Sequence, residues 1–250
     1  MKNLNFKDME GNRYWWSKIP GSNYVPPIYS FLSNTEWNIL EEWYKETDEK
    51  KLIGECNIPF MSLVLGFITG NIIQRIVQCG TYSGYSTLLI GFMLRMMGHK
   101  KSIITIDNNE ATNIFTKQYI NKAELNDYVH IMTSDSSDLA LPTYCSKYLE
   151  GSPQLVIIDS SHQYTHTLKE LDLWYAALQK NGFILLHDTS LKASLFDNNQ
   201  NGGVKKAIED WEDNNKTPFI NINSTITASA TVQDLVYTDG CGIGIIQKIC

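Results

Sequence analysis

QCGTYSGYS, residues 78–86, decides the reading of this chain. A short apolar run, Arg75–Cys79, leads into it, and a helical pattern from Ser86 to Met97 leads out. A strand, a glycine turn and a helix in that order form one βα unit of a parallel sheet. Ligands of such sheets bind beyond the carboxyl ends of the strands. Gly80 permits a tight turn and close approach of a ligand to the backbone. Gly84 precedes a helix whose exposed N–H groups favour an anionic group. The glycines are spaced Gly-x-x-x-Gly, without the middle glycine that a pyrophosphate requires, which disfavours a nicotinamide-dependent oxidoreductase. The turn suits a nucleotide with a smaller anion, such as an amino-acid carboxylate. An ordinary glycine-containing turn is the alternative reading of these residues taken alone.

The same rhythm continues downstream. Strands are expected at Ser102–Asp107, Val129–Thr133, Leu155–Asp159 and Gly182–Asp188. Helices are expected at Glu110–Ala123, Leu139–Leu149, Tyr164–Leu178 and Val204–Trp211. The strands are almost continuously apolar, as strands buried on both faces are. The fold class is α/β: a Rossmann-like, doubly wound, mostly parallel sheet. The runs Phe219–Ile222 and Gly242–Gln247 are β-like with no helix between them, and read as an antiparallel pair at the sheet edge. Residues 1–70 differ in texture, being rich in Trp, Tyr, Pro and Glu. A helix is expected after Thr35 as N-cap, with Trp37, Leu40 and Tyr44 on one face, and a second at Phe60–Thr69. This region carries too little apolar residue for a core of its own. It reads as a helical cap, not an independent domain, on a nucleotide-binding domain over 71–250.

The chain has 250 residues, 43% hydrophobic and 19% charged, enough for a sizeable core. Its formal net charge of −6 and the lack of a basic stripe argue against a nucleic-acid partner. The five cysteines are scattered, with no CxxC pair, so neither a zinc ribbon nor a disulfide framework is indicated. No secretory h-region and no membrane-spanning run is found. A cytoplasmic protein without a membrane partner is the expectation.

Aspartates end the strands. Asp107 can accept both hydroxyls of a ribose or cap the next helix. Asp135 can accept from an exocyclic adenine amine or cap the next helix. Asp159 and Asp188 project from the same sheet end. His162 follows Asp159, where it is either a general base or a helix-start residue bonded to backbone. His187 is expected to point to the other side of its strand by alternation, in a structural role. His130 and His166 are expected to have none.

VQCGTYSGYST, IITID, TSDSS, LVIIDSSHQY and GFILLHDT occur in the order of class I S-adenosylmethionine-dependent methyltransferases. The chain most resembles small-molecule O-methyltransferases of the catechol type and their cephalosporin-hydroxylase-like and sugar-methylating bacterial relatives. The resemblance runs from about Ile72 to Gly203, and GCGIGIIQK resembles the family's last strand. It implies a seven-stranded sheet with one antiparallel edge strand and S-adenosylmethionine as cofactor. It places Gly80, Thr81, Tyr82 and Ser83 on the methionine part, Asp107 on the ribose and Asp135 near the adenine. Gln78 stands where the family has an acidic residue near the cofactor's amino group; it can accept a hydrogen bond there without charge, so that either cofactor affinity is weaker or Asp159 takes over the contact. In metal-dependent relatives Asp159 and the pair Asp188-Thr189 would hold the ion, here Mg²⁺. Thr189 is a poorer, neutral ligand than the family's residue. Deprotonation of the acceptor is thus left to a metal or to His162, with Asp159 and Asp188 in catalytic positions either way.

The reading that follows is O-methylation of a hydroxyl on a small-molecule metabolite. N-methylation or other chemistry on the same fold, and a catalytically silent binding or scaffold protein, are its alternatives. Trp15, Trp16, Tyr24, Trp37 and Trp43 would pack against the domain or a second subunit, making a homo-oligomer, or line the acceptor pocket. Residues 54–61 are expected to close over the cofactor, and Leu191–Gly203 to form a mobile substrate loop.

Overall fold

The computed structural model describes residues 25–230 and 239–249. Trp15, Trp16 and Tyr24 therefore lie outside the described residues.

The expected alternation is present. Strands β1 (Ile76–Cys79), β2 (Ile103–Asp107), β3 (Val129–Thr133), β4 (Leu155–Ile158) and β5 (Phe183–His187) are separated by helices α3 (Tyr85–Met97), α4 (Glu110–Lys122), α5 (Leu141–Tyr148) and α6 (Tyr164–Ala177). Helix α7 (Gly203–Asn215), β6 (Phe219–Ile222) and β7 (Ile243–Gln247) complete the domain. The sheet order is β3-β2-β1-β4-β5-β7-β6. The first five strands pair in parallel, and β7 pairs antiparallel with both β5 and β6. The antiparallel pair forms the sheet edge as expected, with β7 the inner member and β6 the outer. Order reverses between β1 and β4, and the crevice outside their carboxyl ends is where such sheets bind ligands.

Alternation along the buried strands feeds two cores. Val77, Cys79, Ile104, Ile106, Val156 and Ile158 pack with α5, α6 and α7. Ile76, Ile103, Leu155, Ile157 and Leu185 pack on the other face with α3, α4 and two N-terminal helices, α1 (Asn34–Glu49) and α2 (Ile58–Gly70). The N-terminal helices thus share the domain's own core. Helix α1 begins one residue earlier than its expected cap. Ser33 and Glu36 form a reciprocal capping box, and Thr35 lies inside the first turn. Trp37 and Trp43 are buried within the chain, so neither is offered to a second subunit. Trp43 instead donates from Nε1 to the Ser83 carbonyl at 2.6 Å, and a hydroxyl chain joins Tyr44, Tyr29 and Tyr85. The cap aromatics hold the turn of residues 80–86 from behind.

The loop 191–203 is a built element. The buried Asp197 carboxylate accepts from the N–H groups of Asn199, Asn201 and Gly203. Gln163 clamps the loop by donating to the Phe196 carbonyl and accepting from Asn198 N–H, both at 3.0 Å. A short 3-10 turn, Ala193–Phe196, leaves Leu195 and Phe196 exposed.

Candidate active site

A cleft of about 430 Å³ runs along the carboxyl ends of β1 to β4. Gly80, Thr81, Tyr82, Ser83, Asp107, Asp135, Asp159 and His162 all line it, as do Gly54, Glu55 and Cys56 from the segment before α2. The turn is held open by specific contacts. Gly80 has φ +94°, and a Cβ there would lie 1.8 Å from the Asp159 carbonyl oxygen. The close approach that requires glycine is therefore made by the end of β4, not only by a ligand. Tyr82 adopts φ +44°, a conformation uncommon outside glycine. Gly84, at φ +89°, ends the turn and starts α3 with no side-chain cap, leaving the helix N-terminus facing the cleft. Helix α4 packs closely there: a Cβ on Gly84 would meet the Thr116 side chain at 2.5 Å.

Asp107 Oδ2 accepts from the N–H groups of Thr81 and Tyr82 at 3.0 and 2.8 Å, and Oδ1 accepts from Asn109 N–H. The helix cap itself is Asn109, not Asp107. Asp135 Oδ1 accepts from Ser137 N–H and Oγ, with the N–H bond outweighing burial to lower its pKa. Gln78 departs from its expected place. It is 1% exposed and lies behind the turn, donating to the Gly80 carbonyl and Ser86 Oγ while Thr87 Oγ1 donates to it. Alternation turns it toward α3, so it braces the turn and does not line the cleft.

At the β4–β5 end the cleft meets a charged cluster. His162 Nε2 lies 3.0 Å from Asp188 Oδ2 and 3.6 Å from Asp159 Oδ1. His187 Nδ1 lies 3.4 and 3.5 Å from the same two oxygens, and its Nε2 lies 3.2 Å from Asp239 Oδ1. The alternation expected to separate His187 from Asp188 fails for a clear reason. Strand β5 stops at His187, and Asp188 has φ +62°, which turns its carboxylate back to the same side. His162 likewise has φ +58°. His187 is buried, its ring 4.8 Å from Phe60 of α2. Asp239 is fully buried, accepting from Asn57 Nδ2 and Cys241 N–H. Sequence reasoning missed it; its one local signal is the Asp-Gly turn before β7.

Burial alone would neutralise these groups, and their mutual charges overrule it. His187 is shifted well above the usual histidine value: burial opposes, while the charges of Asp188, Asp239 and Asp159 prevail. His162 is raised for the same reason, by the Asp159 hydrogen bond and the two carboxylate charges. Asp159 and Asp239 are lowered, chiefly by His187 once burial is overcome.

The donor set fits a divalent cation in part. Three carboxylates face two imidazoles, an excess of one negative charge, and ligand atoms of Asp159, His162 and Asp188 lie within 4.8 Å of one another. Thr189, expected as the third ligand, is engaged elsewhere. Its buried hydroxyl donates to Asn221 Oδ1 of β6 at 2.7 Å, on the far side of the strand end.

Residues 77–189 match the family model described as a methyltransferase domain. A rhamnosyl O-methyltransferase from Mycobacterium bovis, and one from Mycobacterium tuberculosis, are each 24% identical over 140 residues, 55% of either chain. This chain thus spans about half the length of the curated relatives it matches. An O-methyltransferase from Bacillus cereus, solved with S-adenosylhomocysteine, superposes with a TM-score of 0.66 at 14% identity, over 90% of this chain and 96% of that one. A Podospora anserina methyltransferase, also with S-adenosylhomocysteine, gives 0.62 at 15%, over 88% and 89%. The sheet order and the position of the cleft define a class I methyltransferase fold. Residues 77–189 are thus similar to a methyltransferase domain, and the relatives and solved structures the chain resembles include O-methyltransferases.

Proposed function

We propose that the cleft binds S-adenosylmethionine and that the protein methylates a hydroxyl of a small molecule. One observation carries this reading: the cleft lined by the glycine turn, Asp107 and Asp135 opens, at its other end, onto the His162–Asp159–Asp188 cluster. The fit to the cofactor rests on the uncapped N-terminus of α3, which suits an amino-acid carboxylate, and on Asp107, whose oxygens border the cleft between turn and β2. Asp135 stands beyond it, at the place of a nucleobase. When bound, S-adenosylmethionine supplies an electrophilic methyl group on sulfur.

The chain's own residues then have two tasks, orientation and proton removal. His162 is the general base. Asp188, 3.0 Å away, orients its ring and stabilises the imidazolium formed when it takes the hydroxyl proton. His187, paired with Asp239, holds both Asp188 and Asp159 in place. Asp159 and Asp188 would also be the residues to hold a divalent cation, which would lower the pKa of the acceptor hydroxyl. The exposed Leu195 and Phe196 lie at this end, with the Phe196 ring 5.8 Å from His162, and form an apolar side to the acceptor position. By likeness to the mycobacterial relatives, a glycosyl hydroxyl is the acceptor to try first. No helix among the described residues is long and apolar enough to cross a membrane.

Calorimetry with S-adenosylmethionine, S-adenosylhomocysteine and NAD, with and without Mg²⁺, tests the cofactor. Binding of the two sulfur nucleotides but not NAD is expected; failure of both to bind would overturn the proposal. Turnover on a panel of glycosides in chelator, then with Mg²⁺, Mn²⁺ or Zn²⁺ restored, decides the metal.

A further inference from the structure

His166 was not expected to have a role, yet it lines the cleft beside Asp135. It belongs to a stack of three residues on one face of α6. His166, Glu170 and Trp174, four residues apart, all engage Ser136 in the loop after β3. His166 Nε2 lies 3.1 Å from Ser136 Oγ, Ser136 Oγ donates to Glu170 Oε1, and Trp174 Nε1 donates to the Ser136 carbonyl at 3.0 Å. Glu170 is fully buried and also accepts from Ser160 Oγ.

A carboxyl group buried this deeply needs polar partners. Among the described residues, His166 is the one cationic group within 4 Å of it, at 3.3 Å. That pairing orients the ring. With Nε2 directed to Glu170 and Ser136, Nδ1 is left on the side of Asp135, where it is a donor when the ring carries its second proton. The hydrogen bond to Glu170 raises the pKa of His166, against burial. Nδ1 lies 3.9 Å from Asp135 Oδ1, too far for a direct hydrogen bond. The separation suits a donor and an acceptor addressing adjacent atoms on one edge of a purine.

We propose that His166 reads the adenine edge of the bound nucleotide, donating from Nδ1 to ring nitrogen N1 while Asp135 accepts from the exocyclic amine, and that Glu170 is the positioning residue behind it. The inference rests on the reading of the cleft as an S-adenosylmethionine site. It makes the site selective for adenine over hypoxanthine, in which N1 carries a hydrogen and the amine is replaced by a carbonyl.

The test is calorimetry of the full chain with S-adenosylhomocysteine and S-inosylhomocysteine. The wild type prefers the adenosyl compound. His166→Ala binds it ~10-fold more weakly and loses a similar factor of preference, because the inosyl compound no longer meets a competing donor. Glu170→Gln shifts the preference in the same direction by less, and His166→Asn, which keeps a donor near the position of Nδ1, restores part of it. The ratio of the two affinities is insensitive to any loss of folded protein, so a merely structural role would leave it unchanged. A wild type that binds both nucleotides, with the same ratio in His166→Ala, overturns this inference alone. A wild type that binds neither overturns the cofactor reading and the inference with it.

Discussion

The two ends of the cleft are built differently. At the β1–β3 end, the parts are local and largely backbone: a glycine turn, an uncapped helix and carboxylates bonded to nearby N–H groups. At the β4–β5 end, side chains far apart in sequence are packed as buried charges. Asp239 meets His187 across 52 residues, and Asn57 meets Asp239 across 182. A backbone cradle tolerates side-chain change but not a Cβ in the wrong place. A buried charge cluster tolerates neither loss of a partner nor a change of protonation. The first end suits binding a constant cofactor, and the second suits moving a proton.

That contrast can be broken at either end. The largest effect is expected at His162: His162→Ala should lower methyl transfer by ~10²–10⁴-fold and leave S-adenosylhomocysteine affinity within a few-fold. Equal loss of both would mean that the two ends are not separable. Asp239→Ala should cost ~3–5 kcal/mol of stability in urea unfolding, because it leaves the His187 charge buried with one partner fewer. A cost below ~1 kcal/mol would show that His187 is neutral in the folded chain. Gly80→Ala should destabilise by at least ~1–3 kcal/mol through the left-handed backbone alone, with more from the clash with the Asp159 carbonyl, and should abolish detectable nucleotide binding. Ser33→Ala, remote from both ends, should cost only ~1 kcal/mol through the lost cap and leave nucleotide binding and turnover unchanged.

The charge cluster also sets a pH window. His187 is raised in the folded chain, so its contribution is full below its unfolded pKa of ~6.5 and is lost as pH rises through the higher folded value. Asp159 and Asp239 are lowered, so theirs is full above an unfolded pKa of ~3.9 and is lost as pH falls toward the folded values. Urea midpoints should therefore decline on both sides of a mildly acid-to-neutral plateau. Asp239→Ala should flatten the alkaline decline. Turnover should rise with pH through a midpoint shifted upward from the ordinary histidine pKa, since His162 must be neutral to accept a proton and its pKa is raised by Asp159 and Asp188 against burial.

The fold was legible because its signals are short-range. Apolar runs of four or five residues and helices of one repeating face announce buried parallel strands and their crossovers. The apolar runs match strands β3 and β6 to the residue, and the other strand boundaries to within one. The turn at 78–86 was read as a ligand site from its glycines and its place after a strand. Within it, Gln78 was misplaced, because which face of a four-residue strand a side chain takes depends on the exact strand end. Thr189 was misplaced for the same reason, and His187 was set apart from Asp188 by an alternation that the left-handed Asp188 ends.

The sequence by itself determined the layered α/β architecture, the order of the strand-end aspartates and the position of the glycine turn, since each follows from local periodicity and backbone preference. Only the tertiary structure decided which charges meet. The cluster of Asp159, His162, His187, Asp188 and Asp239, and the pairing of His166 with Glu170 against Ser136, depend on loops brought together by sheet order. The energies that fix them are buried electrostatic terms, which depend on distance and desolvation and leave almost no local trace in the chain.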